Sequence, residues 1–334
     1  MSELRKDILR NRWVVVDTEH PKGPMDFIKG IATFNEGPCP FCSGNEWMTP
    51  AEIDSIRPKG TPANSPGWNV RTVANKFPAL KIEGGLDQVD MGIYEMLNGV
   101  GAHEVIIETP EHDNNIPDRK IDEIEMLLDM YCRRAVDLQK DKRFKYVLFF
   151  KNHGVLAGAS LAHPHTQLIA LPMIPKNVID ELANAKAYLK NSGRCAFCDI
   201  VKQERDDRDR ILFESDSFIA FCPYVSRFPF EIHILPKTHQ NNFFDITGTQ
   251  RKDLATILKR SLYKLKNTLT DPSYNYIIHT APLDSQDYSF CHWHLEIIPR
   301  LTKVAGFEWG SGFYVVPTPP EVAIQYLKEA DIQT

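Results

Sequence analysis

The strongest constraint on the fold of this chain is that it repeats itself. Cys39-Pro-Phe-Cys42 and Cys195-Ala-Phe-Cys198 are both C-x-x-C with phenylalanine in the third place. Behind each pair comes the same series. A short apolar run ends in a histidine (103–107 before His112, 230–234 before His239). Apolar residues at helical spacing follow: Ile121, Ile124, Leu127, Leu128, Tyr131, Ala135 and Leu138 in one copy, Leu254, Ile257, Leu258, Leu262, Leu265 and Leu269 in the other. A strand-like run (146–150 and 274–279) then leads to a close histidine pair, His163-Pro164-His165 or His292-Trp293-His294, and a last apolar run. Two copies of one mixed unit predict an α+β fold. The expected form is a tandem duplication of a small unit with antiparallel sheets and helices packed on them. The seam falls near 191–194, with domains at 1–190 and 191–334. A length of 334 residues suits this, because single cores stop growing near ~250–300 residues. The stretch 35–67, rich in Pro, Gly and Ser, is expected to be mostly loop around the first cysteine pair.

Composition removes several functions. A formal net charge of -5 provides no basic field for sequence-independent nucleic-acid binding, so no nucleic-acid partner is expected. No run approaches the ~18 apolar residues of a membrane span, so no membrane partner is expected either and the protein is placed in the cytoplasm. There its seven cysteines stay reduced, and short-spaced pairs read first as metal ligands. Zinc takes four sulfur or nitrogen ligands, and each C-x-x-C supplies two. The repeat supplies the rest: Cys39, Cys42, His112 and His163 in the first copy, Cys195, Cys198, His239 and His292 in the second. Two zinc ions per chain are expected. Cys132, Cys222 and Cys291 lack such partners and suit the core.

The first histidine pair carries more than a ligand. Side chains two apart on an extended segment point the same way, so His165 lies on the side of His163. A neutral imidazole there is a competent nucleophile toward phosphorus. Gln167, on the same face, can donate an amide hydrogen to a phosphoryl oxygen. Just upstream, Asn152-His153-Gly154 and Gly158-Ala159-Ser160 form a small-residue loop whose backbone N–H groups can approach a phosphate. The second copy has no such lead-in and carries Glu296 where the first has Gln167, so His165 is the expected nucleophile and His294 a structural residue.

With these motifs the sequence resembles the galactose-1-phosphate uridylyltransferase family of the histidine triad superfamily, with features of its ADP-glucose phosphorylase-like branch. The shared landmarks are Arg12-Trp13-Val14-Val15, the first cysteine pair before Gly44-Asn45-Glu46, Asn75 before Phe77, and the stretch 149–167. The resemblance implies a histidine-triad-like unit in each half, the first catalytic. It implies a ping-pong exchange between UDP-glucose and galactose 1-phosphate, that is, a nucleotide diphosphate sugar and a hexose 1-phosphate, through a nucleotidyl adduct on His165. Asn152, Ser160 and Gln167 would bind phosphates, Asn75 the uridine and ribose, and Glu308 the hexose hydroxyls. A homodimer is implied, as is a rival metal set of Glu181, His279, His292 and His294. Departures are His20, Lys22 and Gly23, where relatives carry two arginines, and Lys76 in place of an acidic residue. The second C-x-x-C and residues 306–310 look closer to the ADP-glucose phosphorylases, which makes phosphorolysis or adenylyl transfer through the same histidine the alternative. A zinc-binding module without catalysis is the remaining one.

Overall fold

The computed structural model describes residues 2–27, 34, 37–284 and 286–330. In chain order the strands and helices are β1 (Glu3–Asp7), β2 (Arg12–Val16), β3 (Glu52–Ile56), β4 (Val70–Ala74), β5 (Val89–Met91), β6 (Tyr94–Met96), β7 (Ala102–Ile107), α1 (Ile121–Leu138), β8 (Tyr146–His153), β9 (His165–Leu171), α2 (Lys176–Ser192) and α3 (Ala196–Asp207). The second half continues with β10 (Ile211–Glu214), β11 (Phe218–Phe221), β12 (Ile232–Pro236), α4 (Gly248–Leu269), β13 (Tyr274–His279), β14 (His294–Pro299), α5 (Gly306–Ser311), β15 (Tyr314–Val316) and α6 (Pro320–Glu329).

Ten strands form one sheet in the order β10-β11-β12-β14-β13-β8-β9-β7-β4-β3, with every pairing antiparallel. Read outward from its middle, the sheet gives β8-β9-β7-β4-β3 on one side and β13-β14-β12-β11-β10 on the other. These are the same five elements in the same order, so the duplication is built into one continuous sheet. The two copies meet where β8 pairs with β13, Asn152 opposite Asn275.

Alternation along these strands sorts the residues into two layers. One face, with Phe149 and Leu168 from the first copy and Ile232, Tyr276 and Leu295 from the second, packs under α1 and α4, whose periodic residues join the same buried cluster. The helices expected from periodicity therefore cover a shared core. The other face carries the chemistry-bearing residues. In the first copy it is covered by the cysteine loop, through Phe41 against Trp68, Val73, Val105 and Ile107. In the second it is covered by α2 and α3, through Leu182, Ala185 and Phe197 against Phe221 and Leu235. α2 stops where Gly193 takes φ 71 and its N–H closes on Leu189 O at 2.8 Å, a left-handed helix cap. At the chain ends, β15 adds in parallel to the β1–β2 hairpin.

One expectation holds with an addition, and one needs correction. The stretch expected to be mostly loop holds β3: Glu52 and Arg71 pair across β3 and β4, and a bulge between Glu52 and Asp54 bends this edge strand. Residues 35 and 36 of that stretch lie outside the described residues. The register of the repeat also shifts by one. Aligning the apolar runs pairs His103 with Phe230. In the sheet Val105 faces Gln167 and His233 faces Glu296, so the counterpart of His103 is Glu231.

Candidate active site and metal centres

The first cysteine pair sits on a turn closed by Cys42 N–H to Cys39 O, 3.3 Å, and Asn45 Nδ2 to Cys39 O, 2.8 Å. Buried Glu46 clamps the turn to the sheet. Its carboxylate accepts from Gly44 N and from Trp68 Nε1, the latter at 2.8 Å. Gly44 adopts φ +96, which a side chain would strain.

This turn brings Cys42 Sγ to 3.3 Å from His112 Nδ1 and 3.6 Å from His163 Nδ1. The ligand atoms of Cys39, Cys42, His112 and His163 all lie within 4.8 Å of one another. Sulfur and nitrogen ligands on one tetrahedral zinc stand about 3.6 Å apart, so the group fits that ion. His163 is prepared for it. Its Nε2 donates to Thr109 O at 2.7 Å, which leaves the Nδ1 lone pair facing the cysteines, and burial pushes its pKa down to about 4. Burial raises the Cys42 thiol to about 11, so a cation is what would make it a thiolate at neutral pH.

The second copy repeats the arrangement. Cys198 Sγ lies 3.6 Å from both His239 Nδ1 and His292 Nδ1, and Cys195 Sγ 3.9 Å from His292 Nδ1. His292 Nε2 points to Pro236 O at 3.0 Å. With both ring nitrogens so engaged, His292 stands with the cysteines. Glu181, His279 and His294 form a separate trio.

His165 opens β9 one position past Pro164. Its Nδ1–H donates to His163 O at 2.8 Å, which fixes the tautomer and leaves Nε2 as the bare nitrogen. The ring is 6% exposed, packs on the edge of Phe41 at 5.3 Å, and is held below the usual histidine range by burial. Neighbouring strands put Gln167 and Phe150 opposite each other, so Asn152, two residues on, shares the face of His165. Asn152 Oδ1 accepts from Asn275 Nδ2 at 2.8 Å. Asn75 and Gln167 are brought together through His103, whose Nε2 lies 3.0 Å from Asn75 Nδ2 and 2.8 Å from Gln167 Oε1. Ser160 is exposed at the end of the loop. Glu308 stands apart on α5, where its carboxylate caps its own helix by accepting from Ala305 N at 2.8 Å.

Sequence reasoning passed over the groups behind His165. Lys151 Nζ donates to Glu108 Oε1 at 2.6 Å, and Thr166 Oγ1 to the same oxygen at 2.7 Å, all fully buried. The visible signal was a lysine inside the apolar run of β8. Arg119 lies 3.8 Å from the other Glu108 oxygen. Replacing Lys151 with methionine should destabilise the fold by roughly 3 kcal/mol, the low end for an abandoned buried partner because Arg119 remains. Urea midpoints of the variant and the wild type measure it, and equal midpoints would show that the pair contributes nothing.

At the counterpart of His165 the chemistry differs. His294 Nδ1–H donates to His292 O at 3.1 Å, as its twin does. Glu296, in the place of Gln167, is buried and tied to Arg10 and Arg227, and Glu231 accepts from His233 Nε2 at 2.9 Å. A cavity of about 390 Å³ opens here, lined by Phe197, Arg10, Arg227, Glu231, His233 and His294 among others. Acceptor-only carboxylates stand here in the places of the Gln167 amide and the His103 ring, so this half lacks those donors. Among the described residues, no helix is long and apolar enough to cross a membrane.

Comparison with known proteins places the whole chain. Residues 181–315 match the family model "Galactose-1-phosphate uridyl transferase, C-terminal domain", and residues 91–174 match "Domain of unknown function (DUF4931) N-terminal domain". The chain is 35% identical to ADP-glucose phosphorylase of Arabidopsis thaliana over 99% of its own length and 93% of that protein. It is 29% identical to galactose-1-phosphate uridylyltransferase of Thermotoga maritima over the whole of both. The crystal structure of the Arabidopsis thaliana ADP-glucose phosphorylase with bound ADP-glucose superposes with a TM-score of 0.84 at 32% identity, covering 99% of this chain and 100% of that one. From its duplicated sheet, its histidine pairs and these full-length relatives, the chain belongs to the galactose-1-phosphate uridylyltransferase family.

Proposed function

We propose that this chain transfers a nucleoside monophosphate from a nucleotide diphosphate sugar to an acceptor phosphate through a covalent adduct on His165. The observation that carries this reading is the bare Nε2 of a buried, neutral imidazole whose other nitrogen is committed to His163 O. In the first half-reaction the Nε2 lone pair attacks the α-phosphorus. The bond from that phosphorus to the bridging oxygen breaks, and hexose 1-phosphate leaves with the electron pair. In the second, an oxygen of the acceptor phosphate attacks the same phosphorus, the N–P bond breaks, and His165 returns neutral. Gln167 and Asn152 supply amide hydrogens to the phosphoryl oxygens, Ser160 its hydroxyl, and Asn75 contacts the nucleoside.

ADP-glucose with inorganic phosphate as acceptor is the favoured pair, supported by 35% identity to an ADP-glucose phosphorylase against 29% to a uridylyltransferase. Exchange between UDP-glucose and galactose 1-phosphate is the second reading. Zinc bound by the two Cys/His groups would brace the fold, two ions per chain. A homodimer accounts for Glu308: α5 carries the half-exposed Phe307 and the exposed Trp309, a surface suited to meeting the site of another subunit.

The test uses each nucleotide sugar labelled at the α-phosphorus, without acceptor. Labelled protein and one equivalent of hexose 1-phosphate are expected with ADP-glucose, and inorganic phosphate should discharge the label as ADP. Discharge only from UDP-glucose, and only by galactose 1-phosphate, would select the second reading. No adduct with either would overturn both. Gln167→Glu should slow adduct formation roughly 100-fold, since it replaces a donor with a carboxylate beside phosphate. An unchanged rate would remove Gln167 from the phosphate site.

A further inference from the structure

His103 belongs to the strand next to β9, diagonal to Gln167: Val105 lies opposite Gln167 and His103 two residues before Val105, on the same face. The ring meets three groups. Ala79 N–H donates to Nδ1 at 3.1 Å, Gln167 Oε1 lies 2.8 Å from Nε2, and Asn75 Nδ2 lies 3.0 Å from Nε2. A backbone N–H can only donate, so Nδ1 is the unprotonated nitrogen and the ring hydrogen sits on Nε2. That hydrogen needs an acceptor. Asn75 Oδ1 is already taken by Phe77 N–H at 2.9 Å, so the Asn75 amide nitrogen beside Nε2 is a second donor and cannot accept from it. Of the two amides, only Gln167 presents an oxygen.

We infer that His103 is a positioning residue that selects which end of the Gln167 amide faces the reacting phosphoryl group. The inference rests on the reading of Gln167 as a phosphate ligand. A glutamine amide has two faces of opposite use. Its NH2 donates to a phosphoryl oxygen, whereas its carbonyl oxygen repels one, and an unheld side chain samples both. By donating to Oε1, His103 holds the carbonyl on the side of β7 and leaves the NH2 for the substrate. Preorganised donors contribute most where they need no reorientation as charge develops. The backbone N–H of Ala79 sets the tautomer of the selector, so the ring cannot reverse the choice without losing that bond.

The second copy offers an internal comparison. At the counterparts of His103 and Gln167 stand Glu231 and Glu296, two acceptor-only groups held by Arg227. Donor and amide are replaced together, as expected if they act as one device in the half that handles phosphate.

The test is a double-mutant cycle in single-turnover adduct formation from α-labelled nucleotide sugar, with His103→Leu, Gln167→Ala and the double variant. His103→Leu should lower the rate constant of adduct formation roughly 10- to 100-fold with little change in the half-saturating substrate concentration. His103→Gln, whose amide nitrogen can occupy the place of Nε2 and donate, should recover most of the rate. In the Gln167→Ala background, His103→Leu should cost no more than about twofold, because the group it orients is gone. Zinc content and thermal midpoint, measured alongside, separate loss of fold from loss of rate. If His103→Leu slows Gln167→Ala as much as it slows the wild type, or leaves the wild type unslowed, the positioning role is overturned while Gln167 keeps its place. If Gln167→Ala itself leaves the rate unchanged, the reading of Gln167 falls and the inference falls with it.

Discussion

His165→Asn should reduce nucleotidyl transfer by roughly 10⁴-fold or more, because it removes the atom proposed to carry the adduct. The fold should survive. Asparagine can place its amide nitrogen near the position of Nδ1 and keep the donation to His163 O, the bond the buried ring now makes. Zinc content should therefore match the wild type, and the thermal midpoint should fall by only a few degrees. The second copy supplies the control. His294 has the same backbone bond, and Phe197 packs on it as Phe41 packs on His165, but Glu296 and Glu231 stand in the places of Gln167 and His103, so His294→Asn should leave adduct formation near the wild-type rate. Mass measurement after incubation with nucleotide sugar distinguishes the two variants. An adduct that persists in His165→Asn and vanishes in His294→Asn would exchange the roles of the two halves.

How legible this site was depends on whether its information is local. The cysteine pairs and the histidine pairs are short motifs whose residue types have few other uses at that spacing, and the structure collects each as one Cys/His group. The two amphipathic helices were legible because a period of 3.6 over many residues survives any tertiary context. β3 was not. Its run Glu52-Ile53-Asp54-Ser55-Ile56 has two polar residues on the face that pairs with buried Arg71, so its strand character is set by a partner distant in sequence. α2 and α3 were missed as cover for the second half, since nothing within 176–207 states which sheet face lies bare. His103 was hidden for a similar reason. In sequence it opens an apolar run, and only the pairing of β7 with β9 shows it diagonal to Gln167. Glu308 was legible through resemblance alone, and on α5 it touches none of the residues around His165.

Loss of zinc should separate the two copies. The purified protein is expected to hold close to two zinc ions per chain, and Cys39→Ser and Cys195→Ser to hold close to one each. Both variants should be less stable by several kcal/mol, because the free energy of a structural metal site is in part folding free energy. Their activities should differ. His163 is linked to the nucleophile by one short path: its Nδ1 faces the first cysteine pair, its carbonyl accepts from His165 Nδ1–H, and that bond is what leaves Nε2 bare. Freeing His163 from the metal loosens the carbonyl that fixes the His165 tautomer, so Cys39→Ser should slow adduct formation at least tenfold even at temperatures where the protein remains folded. Cys195→Ser loosens His292 and through it His294, which sits among carboxylates and is not proposed to react, so its adduct rate below the melting temperature should stay within about threefold of wild type. Metal analysis, thermal melting and single-turnover rates on the same samples settle each part. If Cys195→Ser still held two ions, the trio of Glu181, His279 and His294 would be the holder of the second. If Cys39→Ser lost its ion but kept its rate, the tautomer of His165 would be fixed by the strand alone.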